Sequence, residues 1–296
     1  MISHSWYLIL KRSTLVNNGG IMIKLGEKQI LKIVKQTDFG VYLSAGDEDK
    51  VLLPIKQLPQ GAELGDEVEV FVYRDSMDRL IATTNKPLAM VGEIANLKVK
   101  EVTGIGAFLD WGLERDLLLP YKEQTVPIKA GDSCPVYIYV DKSNRLCATM
   151  KIYGKLSADT PYSKDDVVKG VVYDIKKDYG VFVAVDNRYF GLVPPPEVLK
   201  RYNIGDEVEG RVLSVRDDGK LNLSLRKKAY EQMDDDADVI WKALIREGGR
   251  LGFNDKSDAQ KIKETFGMSK NAFKRAVGRL LKEGKIELTG EEIIKK

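Results

Sequence analysis

The sequence predicts a mainly β chain of three small five-stranded barrels in tandem, closed by an α+β domain at the C-terminus. Three observations carry this. A six-residue pattern is written three times, as Asp38-Phe39-Gly40-Val41-Tyr42-Leu43, Gly104-Ile105-Gly106-Ala107-Phe108-Leu109 and Asp178-Tyr179-Gly180-Val181-Phe182-Val183. A proline stands 14 positions after Gly40, Gly106 and Gly180 (Pro54, Pro120, Pro194), and a Gly-Asp pair begins 25 positions after each (Gly65, Gly131, Gly205). Two spacings kept in three copies mark an internal repeat of roughly 65–75 residues. Beyond Lys228 the apolar residues change from alternation to helical spacing.

Composition bounds the function. With 43% hydrophobic and 31% charged residues the chain has enough apolar surface for several cores. No run approaches the ~18 apolar residues of a membrane span, and Trp6–Leu10 is too short for a secretory core of about 7–15 residues. A cytoplasmic protein with no membrane partner is expected. One histidine, His4, and two cysteines, Cys134 and Cys147, leave little material for a transition-metal site or histidine acid–base chemistry. The cysteines fall on repeat positions held elsewhere by Val68 and Val208, and by Ile81 and Asn222, and read as small strand residues. Neither a cofactor nor an enzyme is expected. The net charge of +3 is small, but residues 239–296 hold 14 Lys and Arg against 8 Asp and Glu.

Taken in order, residues 1–22 form a leader outside the repeat. Gly19-Gly20 just ahead of Met22 can be encoded as a ribosome-binding signal, so translation from Met22 is one expectation and a genuine extension the other. The first barrel is expected over 23–88, with strands at Gln29–Lys35, Phe39–Leu43, Lys50–Leu53, Glu67–Tyr73 and Arg79–Thr83. Pro54, which cannot donate to a ladder, closes the third of these. The second barrel (89–155) and the third (163–228) score the same way. Only Pro87–Met90 separates the first two, which predicts close docking; Gly154–Pro161 is a small, polar linker. In 232–296, Asp234-Asp235-Asp236 is expected at the positive N-terminus of a first helix. Ser257–Gln260 reads as a capping box for a second, and Ser269 as the cap of a third with the stripe Phe273, Val277, Leu280 and Leu281. A strand pair follows, and the whole is a winged helix-turn-helix.

Alternation places Val41, Ala107 and Val181 toward the barrel interior and the aromatic beside each, Tyr42, Phe108 and Phe182, outward. A bulge at the glycine would bring Phe39 and Tyr179 to the same surface. Outward aromatics suit stacking by bases of a single strand, although core packing is the alternative for any aromatic. Lys176, Lys177, Arg188 and Lys220 are expected to rim Tyr179 and Phe182. Asp75 with Arg79, Asp141 with Arg145, and Arg216 with Lys220 recur four apart; they are either phosphate contacts or solvated ion pairs. On the third helix Lys270, Lys274 and Arg275, with Asn271 and Lys282, form a polar face for nucleic acid, solvent or another domain.

These residues support a family resemblance. Aromatic-Gly-Val-Phe-Val, Gly-Leu-Val, Ile-Gly-Asp-Glu-Val and Leu-Ser-Leu in the third unit resemble the S1 domain, an OB-fold RNA-binding module. Three such units ahead of a winged helix resemble the bacterial conserved virulence factor B family over about residues 23–296. The resemblance implies that Tyr179 and Phe182 hold the family's RNA-facing aromatic positions and Lys220 that of an arginine. Pro194 stands where a histidine is usual, Ile105 replaces an aromatic, and Arg216 replaces an aspartate. The expected function is binding of single-stranded RNA in post-transcriptional regulation, with DNA or the ribosome as further candidate partners. A DNA-binding regulator led by the winged helix is the alternative. An RNA-processing enzyme is a third reading, for which no catalytic unit remains.

Overall fold

The computed structural model describes residues 22–46, 49–226, 229–254 and 256–296; the leader expected at 1–22 lies, but for Met22, outside them. The chain divides into two compact units, at Leu225/Arg226. The first holds three closed barrels. Barrel one is built from β1 (Lys28–Thr37), β2 (Gly40–Ser44), β3 (Lys50–Pro54), β4 (Glu67–Arg74) and β5 (Leu80–Thr83). Barrel two uses β6 (Ile94–Thr103), β7 (Gly106–Asp110), β8 (Leu117–Pro120), β9 (Ser133–Val140) and β10 (Leu146–Thr149). Barrel three uses β11 (Val167–Lys176), β12 (Gly180–Val185), β13 (Tyr189–Val193), β14 (Glu207–Val215) and β15 (Leu221–Ser224). All close in the same order, first-second-third-fifth-fourth strand, with the third and fifth parallel.

Closure depends on the long first strand. Its first half pairs with the fourth strand and its second half with the second strand. Between the two halves it is bulged, at Val34, Lys100 and Tyr173. A bulge bends the strand and sharpens its twist, which lets one strand serve both sides of a small barrel. The Gly-Asp pair clamps that bend. Gly65, Gly131 and Gly205 donate to the carbonyls of Ile33, Val99 and Val172 at 2.8–2.9 Å, and these residues donate back to Asp66, Asp132 and Asp206. The aspartate carboxylates accept in turn from the amides of Glu63, Lys129 and Asn203 at 2.8–2.9 Å.

The bulge expected at the repeated glycine is therefore on the strand facing it instead. The glycine has another duty. Gly40 lies opposite Pro54 and Gly106 opposite Pro120 in the ladder, which is the origin of the 14-residue spacing. Gly180 has φ +108°, and a Cβ there would collide with the Val193 carbonyl oxygen; Gly40 and Gly106 meet the carbonyls of Leu53 and Leu119 in the same way. Only glycine lets the third strand approach so closely.

Barrel interiors are filled by small aliphatics, such as Val172, Val181, Val183, Val193, Val212 and Leu221 in barrel three. The barrels also dock. Phe71 of barrel one meets Trp111 of barrel two edge-on at 5.6 Å and joins its core cluster. Val91 donates to Gly26 O at 2.9 Å and Leu88 to Trp111 O at 2.8 Å, so the short Pro87–Met90 connection leaves no play. Between barrels two and three, Ile94, Ile152, Leu156, Tyr173 and Ala184 form a buried cluster. The segment expected as a plain linker is thus pinned by Ile152 and Leu156, and Ser157 bonds Arg188 O and Phe190 N.

The second unit contains α1 (Ala229–Arg246), β16 (Arg250–Leu251), α2 (Ala259–Phe266), α3 (Lys270–Lys282), β17 (Ile286–Leu288) and β18 (Ile293–Lys295). The sheet order is β16-β18-β17, adding to the expected strand pair a short strand that two residues gave no period to reveal. Ile240, Leu244, Ile262, Phe266, Phe273 and Leu280 fill the core. Three local expectations need correction. Because α1 begins at Ala229, Asp234–Asp236 lie past its first turn and do not cap it; the Asp234 side chain is outside the described residues. Asp258, not Ser257, caps α2, accepting from Gln260 N at 2.8 Å, while Ser257 Oγ accepts from Asn254 N. The α3 stripe is Phe273, Ala276, Val277 and Leu280, with Leu281 38% exposed.

Gly180→Ala should lower stability by about 1–3 kcal/mol or more, the usual cost of a strained backbone with a collision added. A urea midpoint equal to wild type would refute the constraint. Burial pushes the Cys134 thiol up to about 12; burial, then Asp141, pushes Cys147 up to about 11. Both cysteines are buried and neither is in a disulfide. Iodoacetamide at pH 8 should label neither in the native protein and both in denaturant, read by intact mass.

Candidate nucleic-acid interface

The closed register puts equivalent residues of the three barrels in equivalent outward rows. In barrel three Asp174, Phe182, Leu192, Asn222 and Ser214 follow one another across β11, β12, β13, β15 and β14. The row in barrel one is Lys35, Tyr42, Leu52, Ile81 and Tyr73. In barrel two it is Glu101, Phe108, Leu118, Cys147 and Tyr139. The strand neighbours Val41, Ala107 and Val181 are buried at 0–2% exposure, so Tyr42, Phe108 and Phe182 do face outward.

Facing outward is not the same as being open. Tyr179 is 66% exposed, in the turn where its amide donates to Lys176 O at 3.1 Å. Phe182 is half-buried, because its outer edge leans on the cluster between barrels two and three, 6.1 Å from the Tyr173 ring. In barrel one Phe39 is 57% exposed and meets Tyr42 edge-on at 6.5 Å. The far end of that row is closed: Tyr73 is buried and Ile81 packs on the core of barrel two. Phe108 is half-buried and Ile105 exposed.

The cations divide. Lys176 Nζ lies 5.4 Å from the Phe182 ring centroid and 3.4 Å from an Asp174 oxygen. Such an exposed pair is worth about 0–1 kcal/mol, so a phosphate can displace the carboxylate cheaply. Lys177 is exposed beside it. Arg188 is not on this rim; it sits in the β12–β13 turn at the opposite end of the hairpin, 5.3 Å over Tyr189. Hairpin length separates it from Tyr179, which sequence proximity does not reveal. Lys220 Nζ stands 5.1 Å from the Phe190 ring and 5.8 Å from that of Tyr153, donating to Tyr153 Oη at 3.4 Å. It shares Asp218 with Arg216, at 3.1 and 3.3 Å. The Lys220 hydrogen bond holds the Asp218 carboxyl below the usual range, and Asp218 in turn raises the Lys220 ammonium.

The pairs four residues apart differ among barrels. Arg79 grips Asp75 with two hydrogen bonds, at 2.9 and 2.7 Å. Burial works against ionisation of Asp75, but the hydrogen bonds from Arg79 outweigh it and keep the carboxyl below its usual range. Arg145 instead reaches Asp78 of barrel one at 3.6 Å and gives Asp141 only its backbone amide. Docking is the reason: Arg74 donates to Asn144 O, bringing the two turns together. On α3, Lys274, Arg275, Asn271 and Lys282 are exposed, whereas Lys270 donates to Lys256 O at 3.2 Å. Among the described residues no group of three His, Cys, Asp or Glu could hold a metal ion.

Sequence reasoning missed Phe190 and Tyr153. Phe190 could have been found, since alternation with the buried Gly191 and Val193 puts it on the same face as Leu192 and Phe182. Tyr153 had no such signal, because it belongs to a 3-10 turn between barrels.

Comparison with known proteins follows the same division. Residues 25–85 and 91–151 match the S1 domain, 155–227 the second domain of virulence regulatory factor CvfB, and 238–294 the CvfB-like winged helix domain. An uncharacterized Bacillus subtilis (strain 168) protein, YitL, is 35% identical over 271 residues, 88% of this chain and 90% of its own length. Conserved virulence factor B of Staphylococcus aureus (strain bovine RF122 / ET3-1) is 32% identical, over 77% of this chain and 81% of that protein. A crystal structure of a multidomain protein with nucleic acid binding domains from Streptococcus pneumoniae TIGR4 is 27% identical, covering 92% of this chain and 98% of that one at a TM-score of 0.49. With its S1 barrels, its winged helix and relatives similar over most of their length, the chain belongs to the conserved virulence factor B family.

Proposed function

We propose that this protein is a non-enzymatic, cytoplasmic binder of single-stranded RNA that acts in post-transcriptional regulation. S1 domains and the regulatory family support the broader statement that it binds nucleic acid in a regulatory role. The observation that carries the single-stranded reading is the outer face of barrel three. There Tyr179 stands free at its edge, Phe182 offers a ring under Lys176, and Phe190 offers one under Lys220. Rings stack on any base, and ammonium groups beside them meet the phosphates between bases. Duplex RNA would present neither unstacked bases nor a groove that such side chains can read.

Phe39 with Tyr42 and Phe108 repeat the platform more weakly on barrels one and two. Tethered weak sites act together through effective concentration, gaining about 10²–10⁴ where geometry allows. Arg79 and Arg216 supply further positive charge at barrel turns, each already held by an aspartate. The exposed Lys274, Arg275 and Lys282 of α3 favour a second reading, in which the winged helix leads and duplex DNA is the ligand. Gel shifts of the purified protein on duplex DNA and on single-stranded RNA of equal length, at one salt concentration, separate the two. Tighter RNA binding supports the proposal and tighter DNA binding overturns it.

Tyr179→Ala combined with Phe182→Ala should weaken binding of single-stranded RNA by about 2–6 kcal/mol, taking about 1–3 kcal/mol per stacked base. Circular dichroism should be unchanged. Wild-type affinity in that folded double variant removes the site. Affinity of the wild type should fall as salt rises, since phosphate neutralisation releases counterions; a salt-independent Kd argues against phosphate contact.

A further inference from the structure

The strip of aromatic residues on barrel three does not end at the barrel. Phe182 and Phe190 stand on adjacent antiparallel strands, displaced by two residues, with only Ala184 beside Phe190 in the ladder. Such diagonal neighbours lie about 7–8 Å apart. The next ring belongs to Tyr153, 5.0 Å from Phe190 at an interplanar angle of 61°. It comes from the 3-10 turn Tyr153–Lys155 that joins barrels two and three.

Several observations mark Tyr153 as more than a packing residue. It is 54% exposed, although Ile152 before it and Leu156 after it are buried in the inter-barrel cluster. The turn is therefore held in place while the ring is left open. Lys220 lies 5.1 Å over the Phe190 ring and donates to the Tyr153 hydroxyl from beyond the end of that ring. Beside them the Tyr173 hydroxyl is buried and finds no hydrogen-bond partner among the described residues. An open ring face, an ammonium at the ring's hydroxyl end where a phosphate can be met and a fixed backbone suit a stacked nucleotide.

Resting on the single-stranded RNA reading above, we propose that Tyr153, with Lys220, forms a further stacking station on the same RNA strand as Phe182 and Phe190. The binding face of barrel three is then completed by the segment that docks it on barrel two. Base stacking on Tyr153 extends the strand across the junction.

The test titrates full-length protein into a labelled single-stranded RNA of mixed sequence, about 12 nucleotides long, within the 4–16 nucleotides an OB fold covers. Tyr153→Ala should raise Kd by about 5- to 150-fold, the loss of one stacked base. Tyr153→Phe, which keeps the ring and drops the hydroxyl, should restore most of the affinity. Phe182→Ala is run alongside. If Phe182→Ala weakens binding and Tyr153→Ala does not, the station is overturned and the RNA-binding reading stands. If neither variant weakens binding, both fall. Should Tyr153→Ala disturb the fold, ultraviolet crosslinking of the wild type decides: RNA adducts in the Ile152–Lys155 segment support the station, and adducts confined to barrel three overturn it.

Discussion

The repeated unit depends on one close approach, that of a carbonyl at the end of the third strand to the glycine opening the second. Where Leu53, Leu119 and Val193 press their oxygens against Gly40, Gly106 and Gly180, no Cβ can be accommodated. That contact fixes the register of the second strand against the third, and a one-residue slip would turn every side chain to the other face. The bulged first strand and its Gly-Asp clamp then close the barrel around that register. The outward row that carries Tyr42, Phe108 and Phe182 is a consequence of this packing.

Three copies of one row have become three different surfaces because the barrels dock. Trp111 and the core of barrel two cover the Tyr73 and Ile81 end of the first row. Cys147 and Tyr139 occupy in the second row the places that Asn222 and Ser214 hold in the third. Docking also reassigns charge, since Arg145 spends its guanidinium on Asp78 of the neighbouring barrel. Barrel three keeps its row uncovered at the Asn222 and Ser214 end, yet Phe182 shares its edge with the junction cluster. Asn96 donates to Gly205 O across the same junction, at 3.0 Å, so the turn that clamps the β11 bulge also docks the barrel.

In the second unit, local signals and packing agreed on the helices and parted at their ends. Ser269, capping α3, and Gly267, left-handed after α2, act within a few residues and were legible. The cap of α2 was displaced by one residue because Ser257 is engaged by the turn before it. Leu281 was assigned to the core by its type, but it is 38% exposed, whereas Ala276 is buried with Phe273, Val277 and Leu280.

The sequence alone determined the repeat, the five strands of each barrel, their inward and outward faces and the family, because each follows from spacing and motifs along the chain. Alternation even held Phe190, had it been followed through Gly191. Only the tertiary structure decided which outward rings are open, which cations reach them and which are taken by another barrel. It separated Arg188 from Tyr179 and brought Tyr153 to Phe190. The physical reason is that exposure and ion pairing depend on neighbours distant in sequence, and docking between repeated units leaves no periodic mark on the residues it covers.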